Sequence, residues 1–303
     1  MKKFSILALI FSLSFITKEN IGFFGRSLHY SINSRLSNFN QYSSIFGYHQ
    51  YNSTEHLTLG NPSHANTSAN SSENFLIIKH QFAESYNNST GCPNWVSWHL
   101  DPSWKGTAKR CNCFSTEVRL PMNFYRITPE DYSKTGFDRG HLCPSEDRDL
   151  TDEDNAATFC MSNMIPQSPN LNRISWLGVE NYCRKIIEQG FELYIIAGGY
   201  GQGGTGSKGY AKNIGSSHIK VPSHCWKIIV VLPIGNNDLS RINSKTTILA
   251  FDMPNTPKVN QKKWYDYFTS VDIIEEKTGF DFLSNVEKDI QHIIESRMTS
   301  LSF

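Results

Sequence analysis

The chain has 303 residues, 39% of them hydrophobic and 19% charged, with 29 Lys and Arg against 28 Asp and Glu. That balance excludes an intrinsically disordered chain. A net charge of +1 also excludes a protein that coats nucleic acid non-specifically, since such coats carry a large basic excess. Any polyanion handled here must meet local positive charge in a transient contact.

Lys2 and Lys3 precede a mostly apolar run from Phe4 to Ile16, too short to span a membrane comfortably and the right length for a signal-peptide core. Residues 1–20 are expected to be a signal peptide, although no small-x-small cleavage site follows and an uncleaved anchor stays open. Residues 21–56 are rich in Ser, Asn, Gly, Tyr and His without periodicity and read as a flexible leader. Residues 57–303 are expected to form one catalytic domain. Asn52, Asn66, Asn70, Asn87 and Asn88 each begin a glycosylation triplet, but Asn-rich sequence produces these freely.

Strands are predicted at 75–79 and 95–100, with the turn between them at 87–93, and shorter ones at 124–127 and 158–161. Stronger β-branched and aromatic runs follow at 193–197, 226–232 and 247–251. The Gly-rich segment 198–209 lacks the Lys-Ser or Lys-Thr pair of a phosphate-binding loop and is predicted to be a flexible loop. The longest helix is predicted from Pro169 to Gln189, with Gly190 just past its end. Ser270 is expected to cap a helix through Lys277 that Gly279 stops, and Asn285 to cap a terminal one through about Arg297. These elements give an α+β fold with a mixed, mainly antiparallel sheet core.

Seven cysteines, at 92, 111, 113, 143, 160, 183 and 225, leave at least one thiol unpaired. Buried free thiols and one or two disulfides are both open, with Cys111 and Cys113 too close in sequence to be expected partners. No pair of well-spaced Cys or His residues suggests a zinc site.

The densest chemistry lies in Asp138-Arg139-Gly140-His141 and in the helix that begins about thirty residues later. On that helix Asn172, Trp176, Glu180 and Arg184 follow at steps of four and form a slowly rotating stripe. Hydrolysis of a phosphodiester needs an activated water, neutralised phosphate charge and a stabilised leaving oxygen. A histidine of ordinary pKa near 6.5 can take the proton of the water. A hydrated Mg²⁺ can hold the leaving oxygen through as little as one protein oxygen, such as that of Asn172. Glu180 can hold the metal's waters, and arginines can neutralise phosphate.

These motifs, together with Ser162-Asn163-Met164-Ile165-Pro166-Gln167, resemble the DNA/RNA non-specific endonucleases of the ββα-metal class, and most of all their secreted cyanobacterial members. The likeness runs from about Leu59 to Val286. It implies a ββα-metal (His-Me finger) motif that cuts DNA and RNA, single- or double-stranded, without sequence preference, leaving 5′-phosphates. By the same resemblance His141 is the general base and Asn172 the Mg²⁺ ligand, with Mn²⁺ able to substitute. Glu180, Arg139, Arg110 and Arg184 join the catalytic set, while Asp138 orients the strand or the histidine and Asn163 supports the active-site shell. A secreted or periplasmic location follows, with a proteinaceous inhibitor as a partner and no membrane partner for the mature form.

Gly178 just before Glu180, the Cys111/Cys113 pair beside Arg110 and the long 198–212 insert depart from the family pattern. Two competing readings stay open: a non-catalytic protein that keeps the fold, and an organellar enzyme. His99, His218, His224 and His292 read as surface or packing residues, and Trp95, Trp98 and Trp226 as core.

Overall fold

Strands covered on both faces need apolar side chains in both directions, so they read as unbroken apolar runs. Two of the longest strands here, Phe191–Tyr200 and His224–Pro233, contain long stretches of that character. The structure is a computed structural model that describes residues 55–298, so the expected signal peptide and most of the leader lie outside the described residues. In chain order the strands are β1 (Phe75–Ile78), β2 (Ala83–Asn87), β3 (Cys92–Leu100), β4 (Asp138–His141), β5 (Met164–Gln167) and β6 (Phe191–Tyr200). There follow β7 (Gly204–Gly206), β8 (Gly209–Ala211), β9 (Asn213–Ile214), β10 (Ile219–Lys220), β11 (His224–Pro233), β12 (Thr247–Pro254) and β13 (Phe268–Thr269).

Seven strands form the main sheet in the order β1-β2-β3-β6-β11-β12-β13, with every pairing antiparallel. Successive side chains on a strand point to opposite faces, and β11 shows what this does. Trp226, Ile228 and Val230 join Tyr194, Ile196 and Trp95 in one core, closed by Val271, Ile274, Phe282 and Ile294. Lys227 and Ile229 alternate with them, so they project to the other face, where the helix Leu177–Ile187 packs against β6. Val179, Cys183 and Ile186 of that helix are buried.

The α+β, mainly antiparallel architecture matches the expectation, and the differences are local. β2 was not predicted, because its sequence Ala-Glu-Ser-Tyr-Asn hides Glu84 and Ser85 in the interior. Residues 124–127 are not a strand: Phe124 anchors an irregular segment in a small core with Phe75, Ile77, Tyr86 and Leu120. Nor are residues 158–161, where only Cys160 makes an isolated bridge, to Ser115. The Gly-rich segment is partly regular, since it finishes β6 and forms the β7–β8 hairpin.

Ser270 caps the helix Val271–Thr278, which ends at Gly279 with φ 72°. The terminal helix Lys288–Glu295 is capped by Glu287 rather than Asn285. Asn285 instead donates to Thr58 O at 3.0 Å, tying the end of the domain to its beginning. The described fold already engages Glu55 and His56, which the leader was expected to contain, for Glu55 contacts His99 and His56 is buried.

Cys111 and Cys113 form a disulfide, contrary to expectation. Asn112 adopts φ 52° and folds the chain so that the two Cα atoms lie 5.1 Å apart, within the span a disulfide bridges. The other five cysteines are free and buried.

Candidate active site

β4 and β5 pair with Asp138 opposite Gln167 and His141 opposite Met164, and the chain passes from β5 into the long helix. Gly140 is required here because the buried Gln167 side chain lies across it: a Cβ would fall 2.2 Å from Gln167 Oε1. Leu142 N and Cys143 N donate to Asn163 O and Oδ1 at 3.1 and 3.0 Å, and Asn163 Nδ2 returns a bond to Cys143 O at 2.8 Å. Asn163 thus clamps the chain just after His141 and does not face the cavity described below.

The helix is not uniform, for Leu171–Trp176 is wound as a π-helix and continues as the α-helix Leu177–Ile187. A π-helix takes about 4.4 residues per turn against 3.6 in an α-helix. Over an all-α path, Asn172 and Glu180 would differ by about 80° around the axis. The under-wound first half reduces that to roughly 10°, so both side chains present the same face. Gly178 has a local reason too, since the Trp264 indole packs against it and a Cβ would sit 2.5 Å from Trp264 Cδ1.

A cavity of about 230 Å³ is lined by Arg110, Arg139, His141, Ser145, Asn172 and Glu180, among others. Five of the expected site residues therefore share one space, drawn from β4, the helix and the loop around Arg110. His141 is buried, and its Nε2 has no hydrogen-bond partner among the described residues. Its ring stands edge-on to Phe159 at 4.8 Å, and Trp176 Nε1 donates to its carbonyl at 3.2 Å. Burial, then the charges of Arg110 and Arg139, push the imidazole down to about 3. The ring is therefore neutral near pH 7, and without a bound anion it is a weaker base than the ordinary value expected from sequence would make it.

Arg139 lies over the Phe114 ring at 4.0 Å, and Arg110 over Phe159 at 4.8 Å while donating to Ser145 Oγ at 2.8 Å. Glu180 is buried, and that burial pushes its carboxyl up to about 7 against the opposing pull of Lys227 and Arg184. Arg184 does not line the cavity. It is held by Glu146 at 2.8 Å, by Asp147 at 3.0 Å and by Asn181 at 2.7 Å.

Asn172 Nδ2 donates to Asp138 Oδ2 at 2.9 Å, so its Oδ1, which takes no protein donor among the described residues, is left as a ligand atom at the cavity. One neutral oxygen beside a carboxylate suits an ion that keeps most of its waters. Two other groups, His99 with Asp101 and Glu192 and Asp272 with Glu275 and Glu295, bring ligand atoms within 4.8 Å of one another and could hold a divalent cation. Neither includes an expected site residue, and His99 is already engaged by Glu55 at 2.5 Å and Glu192 at 3.1 Å.

Sequence reasoning missed two partners. Arg173 grips Asp138 with two bonds of 2.8 and 2.7 Å. Lys227, fully buried, lies 3.9 Å from Glu180 Oε1 and 4.3 Å from the centre of the Trp176 ring. The signal for Lys227 was available: a single lysine inside the apolar run Cys225-Trp226-Lys227-Ile228-Ile229-Val230 has to find a buried anion.

An antiparallel pair, the helix that follows it and the histidine and asparagine they bring to one cavity define a ββα-metal fold of the His-Me finger type. The chain belongs to the DNA/RNA non-specific endonuclease family, whose sequence model matches residues 59–289, and it is an endonuclease of that family. It is 47% identical over 243 residues to a nuclease of the cyanobacterium Nostoc sp. strain PCC 7120, covering 80% of this chain and 85% of that one. With the mitochondrial nuclease of Saccharomyces cerevisiae it shares 30% identity over 221 residues, or 70% of this chain and 66% of the other. A chain in the crystal structure of an EndoG/EndoGI complex has the same fold, with a TM-score of 0.63 at 22% identity, covering 78% of this chain and 92% of that one.

Proposed function

We propose that this protein is an exported, Mg²⁺-dependent endonuclease that hydrolyses DNA and RNA without sequence preference and leaves 5′-phosphates. The observation that carries the reading is the partnerless Nε2 of His141 and the open carboxamide oxygen of Asn172 at one 230 Å³ cavity. His141 accepts the proton of the attacking water. A phosphate entering between Arg110 and Arg139 offsets the positive field that depresses the imidazole and so raises its basicity when a base is needed.

Asn172 would hold Mg²⁺, or Mn²⁺ in its place, and Glu180 would accept hydrogen bonds from its waters. When bound, the ion supplies positive charge at the non-bridging and leaving 3′ oxygens. Arg110 and Arg139 neutralise the phosphate, Asp138 orients Asn172, and Asn163 keeps the chain after His141 in place. Arg184, held by Asp147 and Glu146, acts on the cavity through the pull of its charge on Glu180. Contacts to phosphate position a strand without reading its bases, which gives the lack of sequence preference, and nothing in this chemistry needs a 2′-hydroxyl.

The apolar run after Lys2 and Lys3 supports residues 1–20 as a signal peptide and a secreted or periplasmic protein with no membrane partner. The expected leader, 21–56, then gives way to the catalytic domain by Glu55, which the fold already engages together with His56. The inhibitor complex of the EndoG structure supports a proteinaceous inhibitor as a partner here.

The test is digestion of supercoiled plasmid and of folded RNA by the purified protein. Both are degraded with Mg²⁺ and spared with chelator, and the product ends accept a kinase label only after phosphatase treatment. His141→Ala reduces the rate at least a thousandfold; full activity in that variant would falsify the assigned base.

A further inference from the structure

A second cavity, of about 450 Å³, borders the first and shares Arg110, Arg139, Asn172 and Arg173 with it. It continues past Phe114 to Lys134 and is far more basic than acidic, since its one carboxylate, Asp138, is already engaged by Arg173 and Asn172. The Lys134 ammonium has no partner among the described residues. Its backbone sits in the left-handed region at φ 58°, a conformation that a lysine keeps only when its surroundings hold it.

The holding comes from the Gly-rich insert, which the catalytic reading leaves unexplained. Lys208, in the turn of the β7–β8 hairpin, donates its Nζ to Lys134 O at 2.7 Å. Ser207 N donates to Gly136 O at 2.8 Å. The hairpin is therefore docked on the segment that leads into Asp138.

We propose that this second cavity binds the phosphate next to the one being cut, with Lys134 as its cation and the β7–β8 hairpin as the brace that fixes Lys134. This rests on nucleic acid being the substrate of the first cavity. A strand carries a phosphate at every nucleotide, so one that fills the first cavity offers the next phosphate across their shared wall. Lys134 is a binding residue for the flanking phosphate, and Lys208 a positioning residue that acts through it.

The test compares a 20-nucleotide DNA strand with a thymidine diester that carries a single phosphate, using Lys134→Gln and Lys208→Gln. The ratio of kcat/KM for the strand to kcat/KM for the diester falls five- to tenfold in Lys134→Gln, through KM, and two- to fivefold in Lys208→Gln. An equal loss on both substrates, or no loss on the strand, overturns the assignment. Binding separates this result from the cleavage reading: in a His141→Ala background, Lys134→Gln lowers the slope of log affinity for the strand against log salt by about one. An unchanged slope rejects the subsite even if the wild-type protein cuts. A lowered slope supports it even if the wild-type protein proves inert, and a phosphate bound with no dependence on strand length marks a free-anion site and rejects the proposal.

Discussion

Asp138 takes the Asn172 carboxamide N–H at 2.9 Å and the Arg173 guanidinium at 2.7 and 2.8 Å, so a single carboxylate decides which way the Asn172 oxygen points. The sequence had suggested that Asp138 orients the strand or the histidine. Partners of this kind are worth about 10- to 100-fold in metal affinity or activity. Asp138→Ala should therefore raise the Mg²⁺ concentration for half-maximal activity by that factor while the domain melts cooperatively. Unaltered Mg²⁺ dependence would dissociate Asp138 from the carboxamide.

Lys227 is the cation nearest to Glu180 in the interior, and it opposes the burial that raises the Glu180 carboxyl to about 7. Lys227→Met keeps much of the side-chain volume against Trp176 and Trp98 but removes the charge. Glu180 then stays protonated to higher pH, so the rising limb of the pH–rate profile moves to the alkaline side and activity at pH 7 falls roughly tenfold. A uniform loss with an unmoved profile would mean that Lys227 acts only by packing.

Gly140 and Gln167 compete for one volume. Gly140→Ala should cost about 1–3 kcal/mol, the usual range for overfilling a packed interior. In a Gln167→Ala background the same change should cost much less, because the side chain it strikes has been removed. Urea denaturation of the four proteins measures the coupling; additive costs would show that the two positions do not interact.

Burial pushes the His99 imidazole down, but Glu192 and Glu55 outweigh it and hold it up at about 9. The group gains its proton more readily folded than unfolded. Its contribution to stability is therefore complete below pH 6.5, the unfolded value, and is lost as pH climbs through about 9. The wild-type melting temperature should drop by several degrees across that window, and His99→Gln should show a flatter profile. Parallel profiles would remove His99 from the linkage.

What could be read in the sequence was chemistry packed into short stretches. Asp138 to His141 form one strand, and Asn172 and Glu180 lie on the helix that was expected for them, which ends just before Gly190. The Ser270 cap and the Gly279 stop were legible because capping depends on neighbouring residues alone. β2 was not legible, since its inward Glu84 is met by the Ser162 hydroxyl, seventy-eight positions away, and by Lys79 at 3.8 Å. The Cys111–Cys113 bond depends on the backbone of Asn112, which spacing does not reveal. Arg184 was placed with the catalytic residues by the family resemblance, and its position on the stripe does not by itself say what it meets. Its partners Glu146 and Asp147 come from another part of the chain, and periodicity carries no information about them.

The helix over the cavity holds one residue more than an even winding would accommodate, and that surplus could in principle lodge at several turns along its length. Lodged between Asn172 and Glu180, it brings the two into register; moved beyond Glu180, it would throw them out of register while leaving the helix just as long. Trp176, whose indole N–H reaches His141 O, is the peg against such a slip. Trp176→Phe should accordingly give a folded protein whose helix keeps its length but whose site is misphased and nearly silent, a failure visible in kinetics and absent from the circular dichroism spectrum.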